Sequence, residues 1–117
     1  MSNHHKINYV EFPVKDMNKT KEFFSNVFGW TFQDYGDEYC AILNAGIDGG
    51  FYLSKLTASA KTGGVLLVLY SSDLEESLAS VVKAGGEIIE PIFQFPGGRR
   101  FHFTDLNGNE YAIWSDQ

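Results

Sequence analysis

The amino-acid sequence predicts an α+β fold built from two βαβββ modules, and three observations support this prediction. Asp16 opens an amphipathic segment that ends at Gly29, and Asp73 opens a second one that ends at Gly85-Gly86. The same spacing separates the strand patterns that precede the two segments. Short apolar runs punctuated by turn residues follow each segment, with room for three strands. A duplicated unit of this kind often leaves a shared cavity between its copies.

The first module is predicted over residues 6–56. Side chains of residues 7–14 alternate between two faces, which is typical of a half-buried strand. Asp16 is a good N-cap residue, so a helix is predicted over Asp16–Phe28. Three short strands follow, around Trp30–Asp34, Tyr39–Leu43 and Gly50–Ser54.

The second module is predicted over residues 65–115, after a small and polar linker at residues 57–64. It repeats the first module, with a strand, a capped helix and three further strands. Asn107-Gly108 predicts a hairpin turn between the last two strands. The stretch from Pro91 to Gly98 is predicted as a mobile loop, whose two phenylalanines could form a lid. The other predicted elements are the strand Val65–Tyr70, the helix Asp73–Ala84 and the strands Glu87–Glu90, Arg99–Thr104 and Glu110–Trp114.

Length and composition predict one soluble domain covering residues 1–117. No apolar run approaches the roughly 20 residues of a membrane span, and the N-terminus lacks the apolar core of a signal peptide. Cys40 is the lone cysteine, which excludes an internal disulfide. The sequence therefore predicts a cytoplasmic protein without a membrane partner.

A net charge of −6 argues against nucleic acid as a partner, because neutralising phosphates requires a basic face. Arg99-Arg100 is the only basic doublet, and it is predicted as a solvated strand start; alternatively, it is an anion site.

Several motifs together resemble one known family. They are the two βαβββ copies, the pattern Glu11-Phe12-Pro13-Val14-x-Asp16, the run from Phe23 to Trp30, and Asp105-x-x-Gly108-Asn109 before the last strand. They look like the vicinal oxygen chelate superfamily, the fold of glyoxalases, bleomycin-resistance proteins and extradiol dioxygenases. Within it, the chain resembles glyoxalase-related proteins of poorly defined function. The resemblance implies an incomplete mixed β-barrel with outer helices, and a homodimer.

The metal positions of that family are occupied here by residues that are not ordinary ligands. The family holds a divalent metal with His, Glu or Gln, and the resemblance places these positions at Tyr9, Leu66 and Ala112. The fourth position, near Phe51 to Leu53, has no acidic or imidazole group either. The prediction is therefore that the chain carries no metal and no cofactor.

Strand alternation predicts an aromatic and aliphatic cavity wall with one carboxylate. Glu11 is the candidate catalytic acid or base, or the partner of a cationic ligand; alternatively, it is a structural acid paired with a hydroxyl or an arginine. His102 lies on a strand between two phenylalanines, with its facing undetermined. The predicted ligand-binding residues are Tyr9, Glu11, Phe51, Leu53, Leu66, Val68, Tyr70, Ala112 and Trp114.

Three functions fit these residues. The favoured one is a metal-independent protein that binds or sequesters a small molecule, because the ligand positions are apolar while the wall is aromatic. The second is a glyoxalase-like lyase or isomerase with a metal held by unusual ligands such as Glu11 and His102. The third is an accessory domain whose cavity is merely packed.

Overall fold

The computed structural model describes residues 4–117, and in this range the chain forms eight β-strands and two α-helices. The chain divides into two compact units, the first ending at Leu56 and the second covering Thr57–Gln117. Each unit has the order βαβββ. The predicted α+β class and the duplicated module are therefore confirmed.

The first unit is a four-stranded mixed sheet with one helix. Strand β1 pairs in parallel with β4, and the remaining pairs are antiparallel, so the strand order is β1-β4-β3-β2. The elements are β1 (Tyr9–Val14), α1 (Met17–Phe28), β2 (Thr31–Asp34), β3 (Tyr39–Leu43) and β4 (Asp48–Leu53).

The second unit repeats this topology. Strand β5 pairs in parallel with β8, and the strand order is β5-β8-β7-β6. The elements are β5 (Leu67–Tyr70), α2 (Leu74–Lys83), β6 (Glu87–Phe95), β7 (Gly98–Thr104) and β8 (Glu110–Ser115).

Both helices begin as their sequences predict. The Asp16 carboxylate accepts a hydrogen bond from the Lys19 N–H at 2.9 Å, and the Asp73 carboxylate accepts one from the Glu76 N–H at 3.1 Å. These bonds satisfy amide groups that have no partner within the helix. Helix α1 ends at Gly29, whose φ of 73° lies in the left-handed region that glycine adopts without strain.

Aromatic residues form the core of the first unit, between α1 and one face of its sheet. Phe24 is fully buried, stacks on Trp30 with ring centroids 4.7 Å apart, and lies 5.5 Å from the Phe51 ring. Lys21 on the same helix reaches Asp34 of β2 at 2.8 Å. We call the opposite side of this sheet, which faces away from α1, its distal face.

The second unit packs α2 on its sheet in the same way. Arg99 at the start of β7 donates two hydrogen bonds to Glu75 of α2, at 2.5 and 3.1 Å. Arg99 therefore points to the helix side of the sheet. Phe101 and Phe103 point to the same side, because residues two apart on a strand share a face. The large side chains that are fully buried on that side are Phe101, Phe103, Tyr111 and Ile113. The other side is the distal face of the second sheet.

The predicted mobile loop over Pro91–Gly98 is wrong. Strand β6 continues through Pro91 to Phe95 and pairs with β7, with two register shifts between Ile88 and Phe93. Strand β6 is an edge strand, where a proline can be accommodated because one side of the strand needs no ladder bond. Phe93 and Phe95 are therefore fixed by the sheet and do not form the predicted lid.

The segment predicted as a linker, residues 57–64, belongs to the second unit. The Ala58 N–H donates to Oδ1 of Asn109 at 2.8 Å, and the Ala58 carbonyl accepts from the Glu110 N–H at 2.8 Å. A short 3₁₀ turn follows at Ala60–Thr62. These bonds hold the segment against the start of β8.

Candidate functional site

On the distal face of the first sheet, three side chains form a hydrogen-bonded chain. The Tyr39 hydroxyl donates to Oε2 of Glu11 at 2.9 Å, and it also contacts the Tyr9 hydroxyl at short hydrogen-bond distance. A phenol has one proton, so Tyr39 must accept from Tyr9 when it donates to Glu11. The direction of the chain is therefore from Tyr9 through Tyr39 to the carboxylate.

A glycine makes this arrangement possible. Gly50 pairs with Glu11 on one side and with Ala41 on the other, and it has no side chain above the sheet. A Cβ atom at Gly50 would overlap the Tyr39 hydroxyl. The Tyr39 ring can therefore cross strand β4 and reach Glu11 on β1.

Tyr39 is held in its protonated form. Partial burial raises its pKa, and the hydrogen bonds to Tyr9 and Glu11 raise it further. The phenol is accordingly a permanent donor at neutral pH, which fixes one oxygen of Glu11. The partner predicted for Glu11, a neighbouring hydroxyl, is present. Tyr39 itself was missed, although its alternation on β3 could have placed it on this face.

Phe51 and Leu53 do not share the face of Tyr9 and Glu11. Phe51 pairs with Phe12 and is fully buried against Phe24 of α1. Leu53, two residues later on β4, is on the same side of the sheet. Both predicted ligand-binding residues therefore lie on the helix side of the sheet and not on its distal face.

The distal face of the second sheet carries an aromatic cluster centred on Trp114. Its ring lies edge-on to Tyr70 with centroids 5.2 Å apart, and 6.3 Å from the Phe95 ring. The strand register places Val68 beside Ala112 and Tyr70 beside Trp114. Leu66 directly precedes β5 and is half-buried. Five of the predicted ligand-binding residues thus lie on or next to one face.

Ala112 is fully buried, while Val68 and Tyr70 are 45% and 51% exposed. Ala112 contributes only a methyl group between larger neighbours on adjacent strands. The face therefore offers exposed apolar surface at β5 and a small side chain at the centre of the sheet.

His102 also lies on this distal face, next to Ala112 across β7 and β8. Its Nδ1 atom lies 3.0 Å from Oε2 of Glu110, and both side chains are largely buried. Oε1 of Glu110 accepts the Ala60 N–H at 2.9 Å. Burial works to raise the pKa of Glu110, but the bonds from His102 and Ala60 outweigh it, and the pKa lies below its usual value.

An ionised Glu110 can only accept, so Nδ1 of His102 donates the hydrogen bond between them, and in a neutral ring Nδ1 carries the only proton. Nε2 then carries a lone pair, and this atom is buried without a hydrogen-bond partner. The sequence contained both residues but gave no sign that they pair, because they are separated by a turn.

Arg100 lies beside these residues and is held by aromatic rings. Its guanidinium carbon is 5.4 Å from the Phe93 ring centroid and 5.7 Å from that of Phe95. The doublet lies at the start of β7, as predicted, and both arginines are partly exposed. Arg99 faces α2 and is paired with Glu75, whereas Arg100 faces the distal side.

Two further structural features of residues 4–117 bear on the site. No three His, Cys, Asp or Glu side chains in this range are grouped closely enough to hold a metal ion together. A cavity of about 400 Å³ lies at the start of α1, lined by residues including Asp16, Lys21 and Asp34. Of these charged groups, Asp16 caps the helix and Lys21 pairs with Asp34, and the cavity is open to solvent.

The chain matches the sequence profile described as "Glyoxalase/Bleomycin resistance protein/Dioxygenase superfamily" over residues 6–113. It belongs to that superfamily. Neither helix in residues 4–117 has the length and apolar composition that a membrane crossing requires. The search of curated proteins gave no significant match.

Solved structures of the superfamily share the fold at low sequence identity. A glyoxalase-related enzyme from Fulvimarina pelagi is 16% identical with a TM-score of 0.78, covering 95% of this chain and 88% of its own. A glyoxalase/bleomycin resistance protein/dioxygenase family enzyme from Burkholderia phytofirmans PsJN is 13% identical with a TM-score of 0.78, covering 94% and 98%. The fosfomycin resistance protein FosX from Listeria monocytogenes is 19% identical with a TM-score of 0.75, covering 93% and 91%.

Proposed function

We propose that this member of the superfamily binds a small, flat organic molecule without a metal, on the distal face of the second sheet. The cluster of Trp114, Tyr70 and Phe95 is the observation that carries the proposal. Aromatic rings fixed by a sheet offer stacking surface at little entropic cost. The positions at which the family holds metal ligands, Leu66 and Ala112, offer this surface only hydrocarbon.

The first sheet also supports binding without a metal. Tyr9 occupies the position of the family's first ligand, and its hydroxyl is already engaged with Tyr39. Glu11 is likewise bonded to Tyr39, which leaves its second oxygen for a cationic or hydroxyl group of a ligand. Glu11 remains the candidate for proton transfer, should the bound molecule be a substrate.

Fluorescence tests the proposal, because the chain has two tryptophans in different units. A thermal-shift screen of small aromatic compounds and α-oxoaldehydes would first supply a ligand. In Trp30→Phe, binding should still quench the emission of Trp114. In Trp114→Ala, the affinity should fall by about 1–3 kcal/mol of binding free energy, the range of buried aromatic anchors. A Trp114→Phe variant with unchanged affinity would remove this ring from the site.

A metal-dependent lyase or isomerase is the second candidate, favoured by the likeness to FosX. An E126Q mutant of the Listeria protein is described in complex with Mn(II) and 1S,2S-dihydroxypropylphosphonic acid. Metal analysis of the purified chain separates the two candidates. Stoichiometric Mn²⁺, Zn²⁺ or Ni²⁺ that is retained through gel filtration and lost in Glu11→Gln or His102→Gln would support the enzyme.

Two broader predictions accompany the proposal. We infer that the chain forms a homodimer, because it exposes large apolar side chains outside the aromatic cluster, including Ile7, Leu56 and Val65 at 87%, 70% and 81%. Location in the cytoplasm, suggested by the lone Cys40, stays a prediction.

A further inference from the structure

The distal face of the second sheet contains two buried nitrogen atoms that lack partners. Among residues 4–117, Nε of Arg100 and Nε2 of His102 are buried side-chain atoms with no hydrogen-bond partner in the structure. Buried polar atoms are nearly always hydrogen-bonded, so two such atoms on one face require an explanation. They lie two residues apart on β7, and the Phe93 ring is near both side chains.

Arg100 is positioned without a carboxylate. The rings of Phe93 and Phe95 hold its guanidinium, and the three ion pairs found in residues 4–117 involve other side chains. In a chain of net charge −6, an arginine with no acidic partner is unexpected. A guanidinium presents a planar set of N–H donors that match a carboxylate in two parallel hydrogen bonds.

His102 offers the complementary group. Nδ1 of His102 donates to Glu110, so Nε2 is an acceptor in the neutral form of the ring. Arg100 and His102 are two residues apart, about 7 Å along the strand, so the donor fork and the acceptor belong to one face of the sheet. The aromatic cluster of Trp114, Tyr70 and Phe95 flanks them on the same face.

We propose that this face recognises a flat organic acid, with Arg100 binding its carboxylate and Nε2 of His102 accepting a hydrogen bond from its hydroxyl group. The inference rests on the proposed binding function and names the class of ligand. The rings supply the stacking surface, and the two orphaned nitrogens supply the chemical selectivity that the rings alone would lack.

Matched probes distinguish recognition of the carboxylate from stacking of the aromatic ring. Three compounds share one flat hydrocarbon: 2-naphthoate, 2-naphthamide and 6-hydroxy-2-naphthoate. We expect the full-length chain to bind 2-naphthoate at least tenfold more tightly than 2-naphthamide, because only the carboxylate forms charge-assisted bonds with Arg100. The hydroxyl of the third probe should add a few-fold in affinity, and His102→Gln should abolish that increment.

The adjacent arginine provides the control. Arg100→Met should lower the affinity for 2-naphthoate tenfold or more and leave that for 2-naphthamide unchanged. Arg99→Met removes the same charge from the helix side of the sheet and should leave both affinities unchanged. Arg100→Lys retains the charge but loses the fork, and should give an intermediate affinity.

A measurement on the unmodified protein covers the case in which a variant fails to fold. The Nε–H resonance of Arg100 should shift on titration with 2-naphthoate and stay in place with 2-naphthamide. Equal affinity for the two probes, or equal losses in Arg99→Met and Arg100→Met, would overturn the acid recognition while leaving the aromatic binding intact. Failure of both probes to bind at millimolar concentration would overturn the binding function and this inference together.

Discussion

Replacing Asp105 with alanine should destabilise the second unit strongly, although the residue lies in a turn. Asp105 is only 6% exposed, and its Oδ1 accepts the backbone N–H groups of Asn107 at 2.9 Å and Asn109 at 3.0 Å. Oδ2 accepts longer hydrogen bonds, at 3.3 Å each, from the side-chain amide of Asn107 and the hydroxyl of Tyr111. This single carboxylate therefore organises the turn that leads into β8.

The magnitude follows from the two short bonds. Removing the acceptor of a buried N–H costs about 1–3 kcal/mol, so two amides give about 2–6 kcal/mol. The value should lie in the lower half of this range, because alanine also relieves the cost of a buried charge. Burial raises the pKa of Asp105, and the hydrogen bonds from Asn107, Asn109 and Tyr111 offset this only in part.

Equilibrium urea unfolding tests this, followed by Trp114 fluorescence in a Trp30→Phe background so that the signal reports the second unit. Asp105→Ala should lower the free energy of unfolding by about 2–3 kcal/mol at an unchanged m value. The exposed Glu87→Ala, in the same unit, should change it by less than about 0.5 kcal/mol. A loss for Asp105→Ala no larger than that of Glu87→Ala would refute the role assigned to the carboxylate.

The pH dependence of Asp105 and Glu110 should have opposite signs. A raised pKa in the folded state means that wild type gains stability relative to Asp105→Asn as the pH falls from 7 towards the ordinary value of 3.8. A lowered pKa of Glu110 means that wild type is more stable than Glu110→Gln above pH 4.5 and loses this advantage as the pH falls further. If the free energy of unfolding, measured by urea titration relative to wild type, changed with pH in the same direction for both variants, this reasoning would be contradicted. Gly50→Ala should displace the Tyr39 ring, and the shift should appear in the aromatic NMR signals of Tyr9 as well; an unmoved Tyr9 signal would argue against the hydrogen-bonded chain. Sedimentation at micromolar concentration should give a dimer, and a single 13.1 kDa species would count against it.

The elements of the fold were predictable because their signals are local. The caps at Asp16 and Asp73, the glycine after α1 and the strand alternation of β1 each depend on neighbours within a few residues. The duplication supplied a second, independent reading of the same pattern, and the two halves indeed share one strand order.

The errors arose where side-chain periodicity carries no information. Gly49 and Gly50 interrupt the alternation of β4, so the facing of Phe51 could not be read from the sequence. Pro91 looked like the start of a loop, because only the strand order shows that β6 is at an edge. The pairing of His102 with Glu110 and the orientation of Arg100 depend on cross-strand register, which a single sequence does not specify.

The parallel pairing of the first and last strands in each half has a consequence for how the chain folds. Tyr9 pairs with Asp48, and Leu67 pairs with Tyr111, so neither first strand finds its partner until nearly the whole half has been synthesised. During translation, β1 remains unpaired until α1, β2, β3 and β4 have been synthesised, and β5 likewise remains unpaired until β8 has been synthesised. Closing such distant contacts is slow, because the entropy of a long loop is lost before the strand pair repays it. The antiparallel neighbours β2 and β3 can meet early, and β1 should dock last, as the step that completes the sheet.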